Sequence, residues 1–147
     1  MSKTVEDVIR ERGFFVTKPK GTSMYPMLRL NCDHICVVRP ELPLKRYDVA
    51  MFRRSEGVYV LHRVMDVTES GYTFCGDNQC FFDRGITDDM IVGVLDSWFT
   101  GEKKHTVRDK GYLRYVRFWC SSMTLRRYIL WFCHRFLWRK YRGKSVG

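Results

Sequence analysis

The chain has 147 residues, with 26 Lys or Arg against 16 Asp or Glu, a formal net charge of +10, and 45% hydrophobic residues. That length can bury a core without disulfide or metal staples, and the composition excludes a disordered acidic chain, a collagen and a small secreted disulfide knot. The charge is unevenly placed: residues 1–100 hold 13 basic and 14 acidic side chains, residues 101–147 hold 13 and 2, and nothing acidic follows Asp109.

Thr4 followed by Asp7 reads as a capping box. Val5, Val8 and Ile9 form a short apolar stripe that Gly13 ends, which predicts a helix of about two turns within residues 1–13. From Phe14 to Phe99 the texture changes to β-branched and aromatic runs cut by turn residues. Strands are predicted at Phe14–Thr17, His34–Arg39, Asp48–Arg53, Val58–Val67, Tyr72–Cys75 and Ile91–Trp98. Ser55-Glu56-Gly57 and Glu69-Ser70-Gly71 read as hairpin turns. Six short strands in this length predict a mainly β domain over residues 14–100, an antiparallel sheet or partly open barrel, with helices added at both ends.

Gly101-Glu102-Lys103-Lys104 reads as a polar break, and residues 101–147 as a basic, aromatic, amphipathic helical tail. Leu113 and Val116 recur at helical spacing, Ser121-Ser122 interrupts, and a second helix is predicted from about Thr124 to Tyr141. On a helical wheel Leu125, Ile129, Phe132, Cys133, Phe136 and Leu137 form an apolar arc. Arg126, Arg127, His134, Arg135, Arg139 and Arg142 form the opposite one, with Trp131 and Trp138 among them.

The six cysteines, Cys32, Cys36, Cys75, Cys80, Cys120 and Cys133, contain no Cys-x-x-Cys pair. They read as strand-borne thiols in a reducing compartment, with no metal and no cofactor. The N-terminus has no apolar stretch after its charges, so no secretory signal is read there. The longest wholly apolar run is Tyr128–Cys133, far short of the roughly 20 residues a bilayer-spanning helix needs. The expected location is cytoplasmic, with peripheral membrane association.

Chemistry concentrates in Gly21-Thr22-Ser23-Met24-Tyr25-Pro26-Met27-Leu28. A loop serine acts as a nucleophile only with a base to take its proton and donors aimed at the oxyanion it creates. Candidate bases are few: His34, His62, His105 and His134 are the histidines. His62 stands in an apolar strand, Tyr59-Val60-Leu61-His62-Arg63-Val64. His34 reads as structural or exposed, and His105 and His134 belong to the tail. The turn-rich stretch from Cys75 to Gly85 supplies two carboxylates, Asp77 and Asp83. Taken singly, Ser23 is a turn residue, His62 a core histidine and the aspartates turn formers; the ordered combination is what points to a site.

Four segments in order resemble the signal peptidase I superfamily, of the clan shared with LexA-type repressors, in its histidine-type branch. Ser23-Met24-Tyr25-Pro26 resembles the nucleophile box and Tyr47-Asp48-Val49-Ala50-Met51-Phe52 the second strand motif. Leu61-His62-Arg63-Val64 resembles the base box, with His where bacterial signal peptidases carry Lys. Gly76-Asp77-Asn78 with Asp83-Arg84-Gly85 resembles the Gly-Asp-Asn box and the aspartate after it. The resemblance covers residues 15–100. It implies a signal-peptidase/LexA-like β fold and a serine endopeptidase, with Ser23 as nucleophile, His62 as general base and Asp83 orienting the histidine. Thr22, Met24 and Asp77 would support the site, and the Ser23 N–H would serve the oxyanion hole. The implied substrate is an extended peptide, a leader or signal-like segment, added as a strand beside the site. Two features depart from the family: Gly21 stands where a serine usually assists the oxyanion, and a short helix precedes the nucleophile loop in place of an apolar anchor.

The alternatives are a non-catalytic peptide-binding module with a peptidase-like fold and a nucleic-acid-binding, LexA-like regulator. For the tail, residues 110–142 read first as a contact to an anionic membrane surface, with arginines at headgroups and Trp at the boundary. Packing on the β domain ranks second, and nucleic-acid binding third.

Overall fold

A computed structural model describes residues 2–137. A first helix, α1 (Val5–Arg12), starts at the predicted capping box, in which the Asp7 amide donates to Thr4 Oγ1 and the Thr4 amide to the Asp7 carboxylate. It ends at Gly13, whose φ of 85° is the left-handed conformation that a glycine cap adopts without strain.

Eight strands follow: β1 (Phe14–Thr17), β2 (Asp33–Val38), β3 (Val49–Arg53), β4 (Tyr59–Thr68), β5 (Gly71–Cys75), β6 (Asp83–Ile86), β7 (Ile91–Thr100) and β8 (Lys103–Thr106). They form one antiparallel sheet in the order β1-β2-β7-β3-β4-β5-β6. The long strand β7 also carries β8, which continues past the end of β3 along the same strand. Two helices close the described chain, α2 (Lys110–Trp119) and α3 (Met123–Phe132), and α3 runs on into a π-helical turn, Cys133–Leu137. The mainly antiparallel β architecture with added helices matches the expectation from the sequence.

The alternation of β3 explains where the core sits. Val49 and Met51 pack into one cluster with Ile9, Met24, Leu28, Ile35, Val37 and Trp98. Ala50 and Phe52 face the other way, into a cluster with Leu44, Val64, Phe74 and Ile86. A strand buried on both faces reads as a continuous apolar run, which is why Val-Ala-Met-Phe lacks polar alternation.

Four expectations need correction. The sheet does not stop at residue 100, because only Gly101-Glu102 of the predicted polar break forms a turn, and Lys103-Lys104 opens β8, which pairs with β7 through Thr106 and stacks His105 on Trp98 at 5.3 Å. A strand also forms at Asp83–Ile86, where the sequence shows only turn residues. Arg126, placed on the solvent arc of the wheel, is buried; its guanidinium donates to the Trp119 carbonyl and lies against Cys75 and Cys120. The apolar arc is largely open, with Leu125, Phe132 and Phe136 exposed, which counts against the second-ranked reading that it packs on the β domain. Of the six thiols, all free, only Cys36 and Cys75 lie on strands. The predicted continuation of the last helix to Tyr141, with Trp138, Arg139 and Arg142, falls outside the described residues. No helix among the described residues is long and apolar enough to cross a membrane.

Candidate active site

The serine loop leaves β1 and turns back at Ser23–Met27. Met24 and Leu28, both buried, pin it to the core from below, and the Leu28 amide donates to the Met24 carbonyl at 2.9 Å. Met24 thus holds the loop by packing. From the other side the Gly76-Asp77-Asn78 turn clamps it: the Asn78 amide donates to the Ser23 carbonyl at 2.8 Å, and Asn78 Nδ2 donates to the Thr22 carbonyl at 3.0 Å. This approach is possible because residue 76 is glycine. A Cβ there would stand 2.6 Å from the Ser23 carbonyl oxygen, well inside any real carbon–oxygen contact. Thr22 contributes its backbone carbonyl, which also accepts from the Tyr25 amide.

His62 lies on β4 opposite Ala50 of β3 and is 4% exposed. Its Nδ1 is 2.8 Å from Asp83 Oδ2 on β6. Burial disfavours the imidazolium and pulls the His62 pKa below its ordinary value, outweighing the opposite pull of the Asp83 carboxylate; Arg54 adds to the lowering. The ring is therefore neutral near pH 7. Since a carboxylate only accepts, the single ring proton sits on Nδ1, leaving the Nε2 lone pair free. That is the tautomer a general base requires.

Arg54, which sequence reasoning missed, completes this chain of contacts. Its guanidinium donates to Asp83 Oδ1 at 2.6 Å, so both carboxylate oxygens are held. The signal was present in the Arg53-Arg54 pair at the end of an apolar strand. Alternation sends the two to opposite faces, Arg53 to Glu6 and Arg54 to Asp83.

Asp77 does not face the cleft. Its side chain is fully buried against Arg63, accepting from Nε and Nη2 at 2.8 Å each. Tyr115 Oη of α2 donates to the same carboxylate at 2.8 Å, and Trp119 Nε1 donates to the Asp77 carbonyl at 2.9 Å. Tyr112 Oη accepts from Arg63 Nη1 at 2.8 Å. Burial and the Asp77 charge push the Tyr115 hydroxyl far above its ordinary range, so it stays a donor. The 112, 115, 119 spacing of this aromatic stripe on one helix face could have identified it.

Ser23, Arg54 and His62 line one cleft of about 420 Å³ with Lys18, Leu61 and Gln79. No hydrogen bond joins Ser23 Oγ to the His62 ring among the described residues; contacts of this kind often tighten only when substrate binds. His34, His105 and His134 stand away from this constellation, His34 exposed on β2 and His105 stacked on Trp98. No group of His, Cys, Asp and Glu among the described residues has the geometry of a metal site. No family model matches this chain, and neither does any curated protein or solved structure.

Proposed function

We propose that the protein is a serine endopeptidase of signal-peptidase type, with a signal-peptidase/LexA-like fold, that cleaves an extended peptide at Ser23. The observation that carries this reading is the buried His62 held through Nδ1 by Asp83 in the same cleft as Ser23. In the proposed reaction His62 Nε2 takes the Ser23 proton as Oγ attacks the scissile carbonyl, and the Ser23 N–H meets the oxyanion. The imidazolium, stabilised by Asp83, then protonates the leaving amine, and water releases the acyl group by the same route in reverse.

The sheet supports an extended substrate. β3 covers one edge of Tyr59–His62, but β5 pairs with β4 only from Arg63 onward, so the other edge of this segment carries no strand among the described residues. That edge borders the cleft, whose wall also holds Gln79 Oε1, a buried acceptor with no partner among the described residues. Backbone groups left open beside the reacting residues are what a strand-like peptide pairs with.

A fluorophosphonate probe tests the reading without knowledge of the substrate. Covalent labelling of wild type is expected at Ser23, lost in Ser23→Ala and reduced at least about a thousandfold in His62→Ala, with cooperative unfolding retained in both variants and a lower melting temperature only for the buried His62→Ala. Labelling that survives Ser23→Ala sinks the mechanism. The open Ser23–His62 contact favours a second reading, a module that captures a peptide without cutting it. A chain inert to the probe that still binds extended peptides would establish that one.

A further inference from the structure

We infer that the outer face of α3 docks on an anionic lipid bilayer. The helix buries one side only, through Arg126 and Leu130. Opposite them Tyr128, Trp131, Phe132 and, from the π-helical turn, Phe136 are 51–71% exposed. These rings touch one another, with centroids 6.2 Å apart for Tyr128–Trp131, 6.3 Å for Trp131–Phe136 and 4.9 Å for Phe132–Phe136. They form one continuous aromatic patch, unlike the single exposed apolar side chains that any surface carries.

Charge selects the occupant. Arg127 and Arg135 are exposed within the patch and make no ion pair among the described residues, in a segment where residues 101–147 hold 13 basic and 2 acidic side chains. A second copy of the chain would bring the same positive face against its own. Nucleic acid is recognised by ring faces presented separately to successive bases, whereas these rings meet edge to face or tilted, at 62°, 84° and 42°, in one contiguous patch. An anionic bilayer supplies both complements, phosphate for the arginines and the headgroup–acyl boundary for Trp and Tyr rings. No helix among the described residues is long and apolar enough to cross a bilayer, so the docking inferred is along the surface.

Flotation of the full chain with phosphatidylcholine vesicles, with and without phosphatidylglycerol, tests this independently of any peptidase activity. The wild-type chain floats with the anionic vesicles, at least about tenfold more tightly than with neutral ones, and salt weakens the binding. Arg127→Gln with Arg135→Gln costs about 25-fold, roughly fivefold per cation near the surface, and Trp131→Ala about tenfold. These side chains are exposed, so the melting temperature of each variant stays that of wild type. The inference is overturned by equal binding to both vesicles, by no flotation, by preference for an oligonucleotide, or by self-association that Trp131→Ala abolishes. The comparison of the two vesicle compositions uses wild type alone, so a variant that fails to fold leaves the test intact.

Discussion

Replacing Asp77 by Asn keeps the shape of a fully buried side chain and removes its charge. Arg63 is equally buried and has no other carboxylate, so the substitution strands a guanidinium in the interior. Asp77 accepts three hydrogen bonds at 2.8 Å, two from Arg63 and one from Tyr115. An amide offers a single oxygen, and whichever way it turns, its NH2 group faces an Arg63 N–H. Breaking a buried ion pair from one side costs about 3–5 kcal/mol, which agrees with losing one or two charge-assisted bonds at ~1.5–3 kcal/mol each. For a chain of this size that lowers the melting temperature by about 6–20 °C. Urea unfolding followed by tryptophan fluorescence measures it, with an unchanged m-value showing that both end states are the same. Apolar residues of similar volume at both 63 and 77 should cost less than Asp77→Asn, because no charge is then left alone. A loss under about 1 kcal/mol for Asp77→Asn would refute the reasoning.

Two further outcomes follow from the site. Because burial lowers the His62 pKa, the acid limb of kcat/KM should fall below pH 6.5, the ordinary value for histidine; Arg54→Gln removes a cation that opposes proton uptake and should move that limb to higher pH, and a limb that stays or moves down excludes the Arg54 role. Gly76→Ala puts a methyl against the Ser23 carbonyl, so probe labelling of Ser23 and stability should fall together, by about 1–3 kcal/mol for the latter. Gly111→Ala is the contrast: it lies in α2 with nothing within 4 Å of the added Cβ, and thermal unfolding should show a gain of about 0.5–1 kcal/mol.

The sequence disclosed those parts whose local chemistry and global role coincide. The Thr4–Asp7 box forms a helix start in any context, and the apolar runs of β3, β4 and β7 are strands by propensity as well as by pairing. Asp83-Arg84-Gly85-Ile86 and Lys103-Lys104-His105-Thr106 have no such propensity and become strands only because β5 and β7 offer them open edges. Ser23 and His62 stood out as candidates because few residue types serve as nucleophile or base, whereas Asp83 was singled out from Asp77 only by the resemblance of the ordered segments. For Arg54 the sequence offered only the Arg53-Arg54 pair at a strand end; which carboxylate it holds depends on a partner 29 positions away. Arg126 misled for a related reason: a wheel assigns a charge to solvent unless the fold supplies acceptors, and here the Trp119 carbonyl does so.

The uneven charge along the chain invites a division into a neutral domain and a basic tail, and the hydrogen bonds cut across it. α2 lies in the basic segment, yet Tyr115 and Trp119 bind the Asp77 side chain and carbonyl, and the next residue, Asn78, holds the serine loop. Arg126 at the start of α3 reaches back to the Trp119 carbonyl and lies against Cys75, whose thiol burial pushes up to about 11 and so keeps uncharged. The inner faces of these helices are thus part of what positions Ser23. The division that matters physically runs along the axis of α3: one side is tied to the turn that clamps the Ser23 loop, and the other presents arginines and aromatic rings outward. A surface engaging that outer side would be three hydrogen-bonded contacts, Arg126–Trp119, Trp119–Asp77 and Asn78–Ser23, from the serine loop. The basic segment that carries the excess charge is therefore tied to the serine loop through its inner faces.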